Sequence, residues 1–202
     1  MFSDRAPRQL VNLFGVLTVI ALGMWFFFQP VVQQESNPLL EALEASAPLP
    51  CTLDQAGYFD ARLYGSLQQN LNLKGDALLC NGSYQSLEQR VRLVFTGDSG
   101  TGGADITVVL GISRFIPGQA ATELDTNVTV MDAAQSRFFG SQGYGRCWTD
   151  INSAPLGGSG GQQKNVWRVS GETYCSGALP QISGQGSVTI GDLSFSGRAV
   201  AE

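Results

Sequence analysis

The sequence predicts a mainly β protein, in which an N-terminal transmembrane helix precedes an antiparallel β domain of the sandwich or barrel-like type. Three observations support this prediction. Residues 10–28 are almost entirely apolar, apolar residues after Tyr58 recur with a period of two, and four cysteines form two similarly spaced pairs. A period of two places alternate side chains on opposite faces of a strand, which is the pattern of a half-buried sheet.

The composition favours strands joined by turns and excludes several functions. Of the 202 residues, 25 are glycine and only 14% are charged, and the net charge of −5 offers no basic surface for nucleic acid. Histidine is absent. Ser-His-Asp and Cys-His nucleophilic sites, a histidine base and most zinc and haem sites are therefore excluded. We expect a non-catalytic protein with no cofactor and no nucleic-acid partner.

The apolar stretch at the N-terminus has the length of a membrane span. Residues 10–28 read LVNLFGVLTVIALGMWFFF, and a helix of this length rises about 28 Å, the thickness of the hydrocarbon core. We therefore predict a single-pass signal-anchor helix over residues 10–29. A cleaved signal peptide is the alternative, but the A-x-A sequence at residues 45–47 lies farther from the span than a signal peptidase requires.

The charges beside the span predict its orientation. Arg5 and Arg8 precede it, whereas no Lys or Arg follows it before Arg62. The positive-inside rule then predicts that residues 1–9 form a cytoplasmic tail in an inner (plasma) membrane protein. Everything after the span is expected on the periplasmic, extracytoplasmic side.

The exported part divides into a stalk and a β domain. Residues 30–50 contain the helix start signal Ser36-Asn37-Pro38 and end with two prolines, which predicts a stalk with one short helix. Residues 51–202 form the predicted β domain. Strands are expected where the apolar alternation is clearest, at residues 71–74, 90–95, 105–112, 127–131, 165–169 and 186–195.

Two stretches of the β domain resemble each other, residues 51–100 and residues 147–202. Each begins with C-x-x-D, continues to a glycine followed by an acid at the same distance, and then reaches a second cysteine. We interpret this match as a duplication that gives two similar β units, each with one disulfide bond.

The duplication selects one of the three ways in which four cysteines can pair. It predicts disulfide bonds between Cys51 and Cys80 and between Cys147 and Cys175, because each bond then closes an equivalent loop. An exported domain lies in an oxidising compartment, where disulfide bonds persist. A four-cysteine metal site is the alternative, but the sequence contains no C-x-x-C.

Two serine motifs resemble catalytic sequences. Residues 97–100, GDSG, resemble the nucleophile segment of trypsin-like proteases, and residues 157–161 match the G-x-S-x-G elbow. Both lack a histidine base, so we predict that both are turns. A Ser-Lys dyad with Lys74 or Lys164 remains open, although no pattern indicates either lysine.

Carboxylates and aromatic residues supply the remaining candidates. Asp98 and Asp105 in a glycine-rich loop could hold calcium, but the spacing fits no calcium motif and predicts a solvated turn. We expect Trp167 and Tyr174 to pack in the core beside the second disulfide bond. A carboxylate pair of the glycosidase kind could be drawn from Asp54, Asp60, Asp125, Asp132 and Asp150.

These observations favour an anchored envelope domain that binds or assembles without catalysis. Its expected partner is another envelope protein or a surface glycan. A carbohydrate or cell-wall binding module is the alternative, because exposed aromatic residues stack on sugars. A histidine-free hydrolase that uses Asp or Glu is the second alternative.

Overall fold

The structure is a computed structural model that describes residues 49–51, 57–97, 106–143, 145–156 and 165–202. The predicted tail, anchor and most of the stalk lie outside these ranges, as do most of both serine motifs and the pair Asp98 and Asp105. No helix in the described ranges is long and apolar enough to cross a membrane.

The described residues form one mainly antiparallel sheet, and the only helical element among them is a 3-10 turn at Gly75–Ala77. This confirms the prediction of a mainly β domain, and each of the six expected strands overlaps an observed one. The strands are β1 (Leu49–Pro50), β2 (Tyr58–Gly65), β3 (Gln69–Lys74), β4 (Leu78–Gln85), β5 (Arg90–Gly97), β6 (Ile106–Ser113), β7 (Ala121–Asp132), β8 (Arg137–Gly140), β9 (Cys147–Pro155), β10 (Val166–Cys175), β11 (Leu179–Pro180) and β12 (Ser187–Ala201).

The strands follow the order β1-β4-β5-β6-β7-β9-β10-β12-β2-β3, and β12 also pairs with β4. That extra pairing is parallel and sets Val200 opposite Ser83 and Ala201 opposite Tyr84. It closes a ring that runs through β4, β5, β6, β7, β9, β10 and β12. Gly82 lies at the closure with its Cα against the carbonyl of Arg198, where a Cβ would collide with the backbone.

The strand β12 holds this arrangement together because it pairs with β10, β2 and β4, and also with the short strand β11. Its 15 residues pair with β10 over most of their length, with β2 in the first part and with β4 at the end. The pairing with β2 shifts register between Gly191 and Ser194. This break lets one strand leave β2 and reach β4, because an irregularity bends the strand and increases its twist.

Alternate side chains of the strands point inward and form the core. Three of the largest are phenylalanines from β2, β5 and β12, with the Phe95 ring 4.9 Å from Phe59 and 5.5 Å from Phe195. All three side chains are at most 1% exposed. Burial of one such ring stabilises the fold by about 2–3 kcal/mol, so this cluster connects strands that are distant in sequence.

One ion pair is largely buried and ties a hairpin to a loop. The Arg137 guanidinium donates to the Asp132 carboxylate at 2.7 Å and to the Ser66 carbonyl at 2.9 Å. Asp132 is 4% exposed, and Arg137 also lies over the Phe139 ring at 5.7 Å. The hairpin of β7 and β8 is thereby attached to the turn between β2 and β3.

The two matched stretches of sequence form different elements. Gly75 lies in the 3-10 turn after the edge strand β3, whereas Gly171 lies inside β10, which has neighbours on both sides. Cys80 lies within β4, and Cys175 is the last residue of β10. The duplication therefore rests on the sequence pattern, and the fold does not give its two units matching strands.

Candidate binding surface

Both predicted cysteine pairings are confirmed as pairs at disulfide distance. Cys51 is joined to Cys80 with a Cα–Cα distance of 5.0 Å, and Cys147 to Cys175 with 4.0 Å. No cysteine in the described ranges is free. The described residues also contain no group of three or more Cys, Asp or Glu side chains placed to hold a metal ion.

The second disulfide bond lies in a hairpin whose two strands carry mirrored sequences. The strand β9 begins with Cys147-Trp148-Thr149-Asp150, and β10 ends with Glu172-Thr173-Tyr174-Cys175. Antiparallel pairing sets each residue opposite its counterpart: Cys with Cys, Trp with Tyr, Thr with Thr, and Asp with Glu. The mirrored order was visible in the sequence and would have predicted this register.

The inward side of this hairpin contains a chain of threonine hydroxyls. Thr149 is fully buried and lies 2.8 Å from Thr126 on β7 and 2.8 Å from Thr173 on β10, oxygen to oxygen. Thr126 donates its own hydroxyl proton to the Leu124 carbonyl at 2.8 Å. Because each hydroxyl has one proton, Thr149 must donate to Thr126 and Thr173 must donate to Thr149. The buried hydroxyls therefore satisfy one another and fix β7, β9 and β10 in register.

The outward side of the hairpin presents two aromatic rings. Trp148 and Tyr174 stack with ring centroids 5.8 Å apart and an angle of 29° between the ring planes. Tyr174 is 44% exposed, so the prediction that it packs in the core is wrong. Its neighbour Thr173 points inward, and alternation then turns residue 174 to solvent. Trp167, by contrast, does pack partly against the core.

Four carboxylates surround the stacked rings. Asp150 and Glu172 lie directly opposite each other, two residue pairs along the hairpin from the rings and on the same face. Asp125 lies opposite Trp148 on the neighbouring β7. The backbone amide of Glu123 donates to the Asp150 carboxylate at 2.8 Å, which places a fourth acid beside them.

We call this surface the aromatic–acidic patch; its members are Glu123, Asp125, Trp148, Asp150, Glu172 and Tyr174. Two ion pairs of the described residues, Glu88 with Arg90 and Asp132 with Arg137, lie elsewhere. An open hollow of about 490 Å³ adjoins the patch; Asp150 and Glu172 line it together with both polar and apolar neighbours. The patch can thus receive a side chain that carries positive charge.

The carboxylates also act on the tyrosine hydroxyl. Desolvation by its neighbours, and then the negative charges of Asp150 and Glu123, raise the pKa of Tyr174 above the ordinary value of 10.0. The phenol therefore stays neutral at physiological pH and can donate a hydrogen bond to a ligand.

The structure separates the aspartates that the sequence offered as a catalytic pair. Asp125 and Asp150 both belong to the patch, whereas Asp60 accepts a hydrogen bond from Asn72 and Asp132 is held by Arg137. Asp54 lies outside the described ranges. Sequence analysis found Asp125 and Asp150 as carboxylates, but it missed their place beside the aromatic rings.

No protein-family model, curated protein or solved structure matches this chain. The surface combines a partly exposed aromatic pair with a local excess of negative charge. Both features attract cations, the first through the ring quadrupole and the second through Coulomb interaction.

Proposed function

We propose that the domain is a non-catalytic binding component of the cell envelope, anchored by residues 10–29 with its N-terminus in the cytoplasm. Its aromatic–acidic patch binds a cationic segment of another envelope protein. The observation that carries the proposal is the stacked pair of half-buried Trp148 and exposed Tyr174, surrounded by four carboxylates.

The negative charges of the patch destabilise the unbound domain. Like charges directly opposite each other in a sheet, such as Asp150 and Glu172, destabilise it by roughly 0.2–1 kcal/mol. A bound cation would remove this repulsion. The free energy of binding then includes removal of the repulsion between Asp150 and Glu172 in the unbound domain.

The patch is also rigid, which favours binding. Behind the exposed side chains lie the disulfide bond of Cys147 with Cys175 and the threonine chain through Thr149. Both hold β9 and β10 in one register. A surface that is ordered before binding loses little conformational entropy when the ligand arrives.

Arginine fits the patch better than lysine. Its planar guanidinium stacks on aromatic rings and forms two parallel hydrogen bonds with a carboxylate. Trp148 and Tyr174 supply the rings, and Asp150 supplies a carboxylate two residue pairs away on the same face. We therefore expect the partner segment to contain arginine.

The test uses the full chain in detergent micelles and a short arginine-rich peptide. The control peptide carries citrulline in place of each arginine, which keeps the shape and removes the charge. Calorimetry and the fluorescence change of tryptophan measure binding at low and high salt. We expect binding of the arginine peptide only, weakened by salt because exposed charges are screened.

The double substitution Asp150→Asn and Glu172→Gln should weaken this binding at least tenfold. It removes charge with little change of shape and should not destabilise the domain, because the repulsion disappears with it. Asp76→Asn with Glu88→Gln removes the same charge elsewhere and should leave binding unchanged. Equal losses in both variants would contradict the proposal.

The second candidate function is carbohydrate binding, which the same aromatic pair favours because sugar rings stack on Trp and Tyr. Retention on a glycan array that depends on Tyr174 but not on Asp150 and Glu172 would support it. Turnover of a glycan that stops with Asp150→Asn would instead indicate the histidine-free hydrolase.

The proposed topology has its own test. A reporter active only outside the cytoplasm, fused after Glu202, should be active, and a reporter active only in the cytoplasm should be silent. The basis is Arg5 and Arg8 before the span, with no Lys or Arg after it until Arg62. The reverse pattern would overturn the orientation.

A further inference from the structure

A second polar cavity lies on the outer face of β4, β5, β6 and β7. Its volume is about 330 Å³, and polar side chains from all four strands line it. One row of residues crosses it directly, with Ser83 opposite Arg92, Arg92 opposite Gly111 and Gly111 opposite Asn127. Since adjacent strands lie about 4.8 Å apart, this row is about 14 Å long. We call it the arginine groove.

Arg92 is the charged centre of the groove. Among the described residues, no hydrogen bond or ion pair engages its guanidinium, whereas neighbouring Arg90 pairs with Glu88 at 3.2 Å. Arg92 is also solvent-exposed on the sheet face. Both arginines line the groove, and Arg92 is the one without an acidic partner among the described residues, so its guanidinium can bind an anion.

Gly111 forms the floor of the groove between Arg92 and Asn127. A Cβ at this position would meet only the Asn127 Cβ, at 3.8 Å, and the Asn127 carbonyl, at 3.9 Å. The space above the glycine is therefore open. A ligand group lying there contacts a guanidinium on one side and a carboxamide on the other.

We propose that the arginine groove binds a carboxylate-bearing sugar chain. The guanidinium of Arg92 takes the carboxylate in a bidentate hydrogen bond. Ser83, Asn127 and Thr129 both donate and accept hydrogen bonds, as sugar hydroxyls require. No aromatic residue lines the groove, so a neutral sugar lacks a stacking surface and the carboxylate determines the selectivity.

The place of the groove in the sheet argues against an acidic peptide. Extended peptides usually bind by adding a strand to a free sheet edge. Here β5 and β6 have neighbours on both sides, so their backbone groups are already paired. Only side chains are available, and hydroxyls and amides around one arginine match an acidic sugar better than a polypeptide backbone.

The test measures binding of tetragalacturonate to the full chain in detergent micelles by calorimetry at low salt. Its methyl ester keeps the sugar chain and removes the charge. Inorganic phosphate and tetraglutamate serve as anions without the sugar. We expect the acid form to bind at least tenfold more tightly than each of the other three.

Three variants locate the site. Arg92→Gln should weaken binding at least tenfold, the loss expected for one charge-assisted hydrogen bond. Gly111→Val should weaken it similarly by filling the groove, while urea unfolding shows stability kept or raised, because valine favours strands. Arg62→Gln removes an exposed arginine from β2 and should leave binding unchanged.

Several results would overturn the proposal. These are no binding of tetragalacturonate, equal binding of its ester, equal or tighter binding of phosphate or tetraglutamate, and equal losses in Arg92→Gln and Arg62→Gln. Loss of arginine-peptide binding at the aromatic–acidic patch would leave this result intact, because the two surfaces share no residue.

Discussion

The two disulfide bonds close loops of nearly equal length, 29 and 28 residues, in very different surroundings. Cys147 and Cys175 are directly opposite in β9 and β10, which share nine residue pairs. Cys51 follows β1, which shares only two residue pairs with β4. The bond between Cys147 and Cys175 reinforces an extensive strand pairing. The bond between Cys51 and Cys80 instead holds β1, which has only two residue pairs with β4. Equal spacing in the sequence thus conceals unequal structural roles.

The first region surrounds the bond between Cys51 and Cys80, and the second surrounds the bond between Cys147 and Cys175. Each region contains a glycine that lies against the backbone of a neighbouring strand. In the second region, a Cβ on Gly171 would collide with the Asp150 carbonyl, inside the hairpin that carries the patch. In the first, Gly82 meets the Arg198 carbonyl where β12 closes on β4. The glycine of the first region therefore permits closure of the ring, and the glycine of the second permits the close strand pairing beneath the aromatic–acidic patch.

The largest expected effect comes from removing each disulfide bond by paired serine substitutions. Both Cys51→Ser/Cys80→Ser and Cys147→Ser/Cys175→Ser should lower the free energy of unfolding by about 2–5 kcal/mol. The values should be similar, because loop entropy depends weakly on loop length. Urea unfolding measures both.

Hydrogen exchange should then distinguish the two variants. The amide at position 51 donates to the Leu78 carbonyl at 3.4 Å, and it should exchange freely without the first bond. The Thr173 amide in β10 should stay protected without the second bond, because the hairpin remains paired. Strong protection of the amide at position 51 in the variant without the first disulfide bond would mean that other contacts hold β1 against β4.

The next effect compares the two glycines. Gly82→Ala and Gly171→Ala should each lower the free energy of unfolding by about 1–3 kcal/mol, because the new methyl group meets a backbone carbonyl that cannot move alone. Gly177→Ala is the control, since nothing lies within 4 Å of its Cβ. A cost for Gly177→Ala equal to the others would show that the contacts are not the cause.

A smaller effect concerns the buried threonines of the second region. Thr149→Val should lower the free energy of unfolding by about 1–3 kcal/mol, because Thr173 loses the acceptor for its proton. Thr107→Val is the matched control. Its hydroxyl lies 2.9 Å from Thr96 but is only partly buried, so water can replace it. Similar costs would show that burial of the threonine chain is unimportant.

The smallest effect is the titration of Tyr174. The difference in phenolate absorbance between the native chain and Tyr174→Phe should show a pKa above 10.0, and Asp150→Asn should lower it. Because the pKa of Tyr174 is higher in the folded than in the unfolded state, the neutral phenol favours the folded state below pH 10. This contribution to the free energy of unfolding is lost as the pH rises through the pKa of the folded protein. An ordinary pKa would remove Asp150 and Glu123 from the environment of the phenol.

Sequence patterns predicted several strands whose inward residues are apolar, although β2, which buries Phe59, Ala61 and Leu63, was missed. In β6 the alternation of Ile106, Val108 and Leu110 is explicit. The strand β9 was not predicted, because its inward residues include Thr149 and Ser153. The Thr149 hydroxyl pairs with Thr126 of β7, and the Ser153 hydroxyl accepts from the Gly118 amide in the loop before β7. Polar residues can face a core only when tertiary structure supplies those partners.

The aromatic–acidic patch was less predictable than the fold, because it too depends on how the strands assemble. The chemistry of Tyr174 was visible in the sequence, but its side of the strand depends on which neighbour faces inward. The closure of β4 on β12 also has no local signal, since it joins Ser83 to Val200. Pairing between residues this far apart is determined by the assembled core.

The long final strand has a consequence for the order of folding. Because β12 supplies neighbours to β10, β2 and β4, none of these pairings can form until residues 187–201 have been synthesised. The ring cannot close before then, and contacts between residues so distant in sequence form slowly. An incomplete, ribosome-bound chain therefore exposes the edges of β2, β4 and β10 that later pair with β12. Such edges invite pairing with other chains, so we expect this interval to be when the protein most depends on a chaperone.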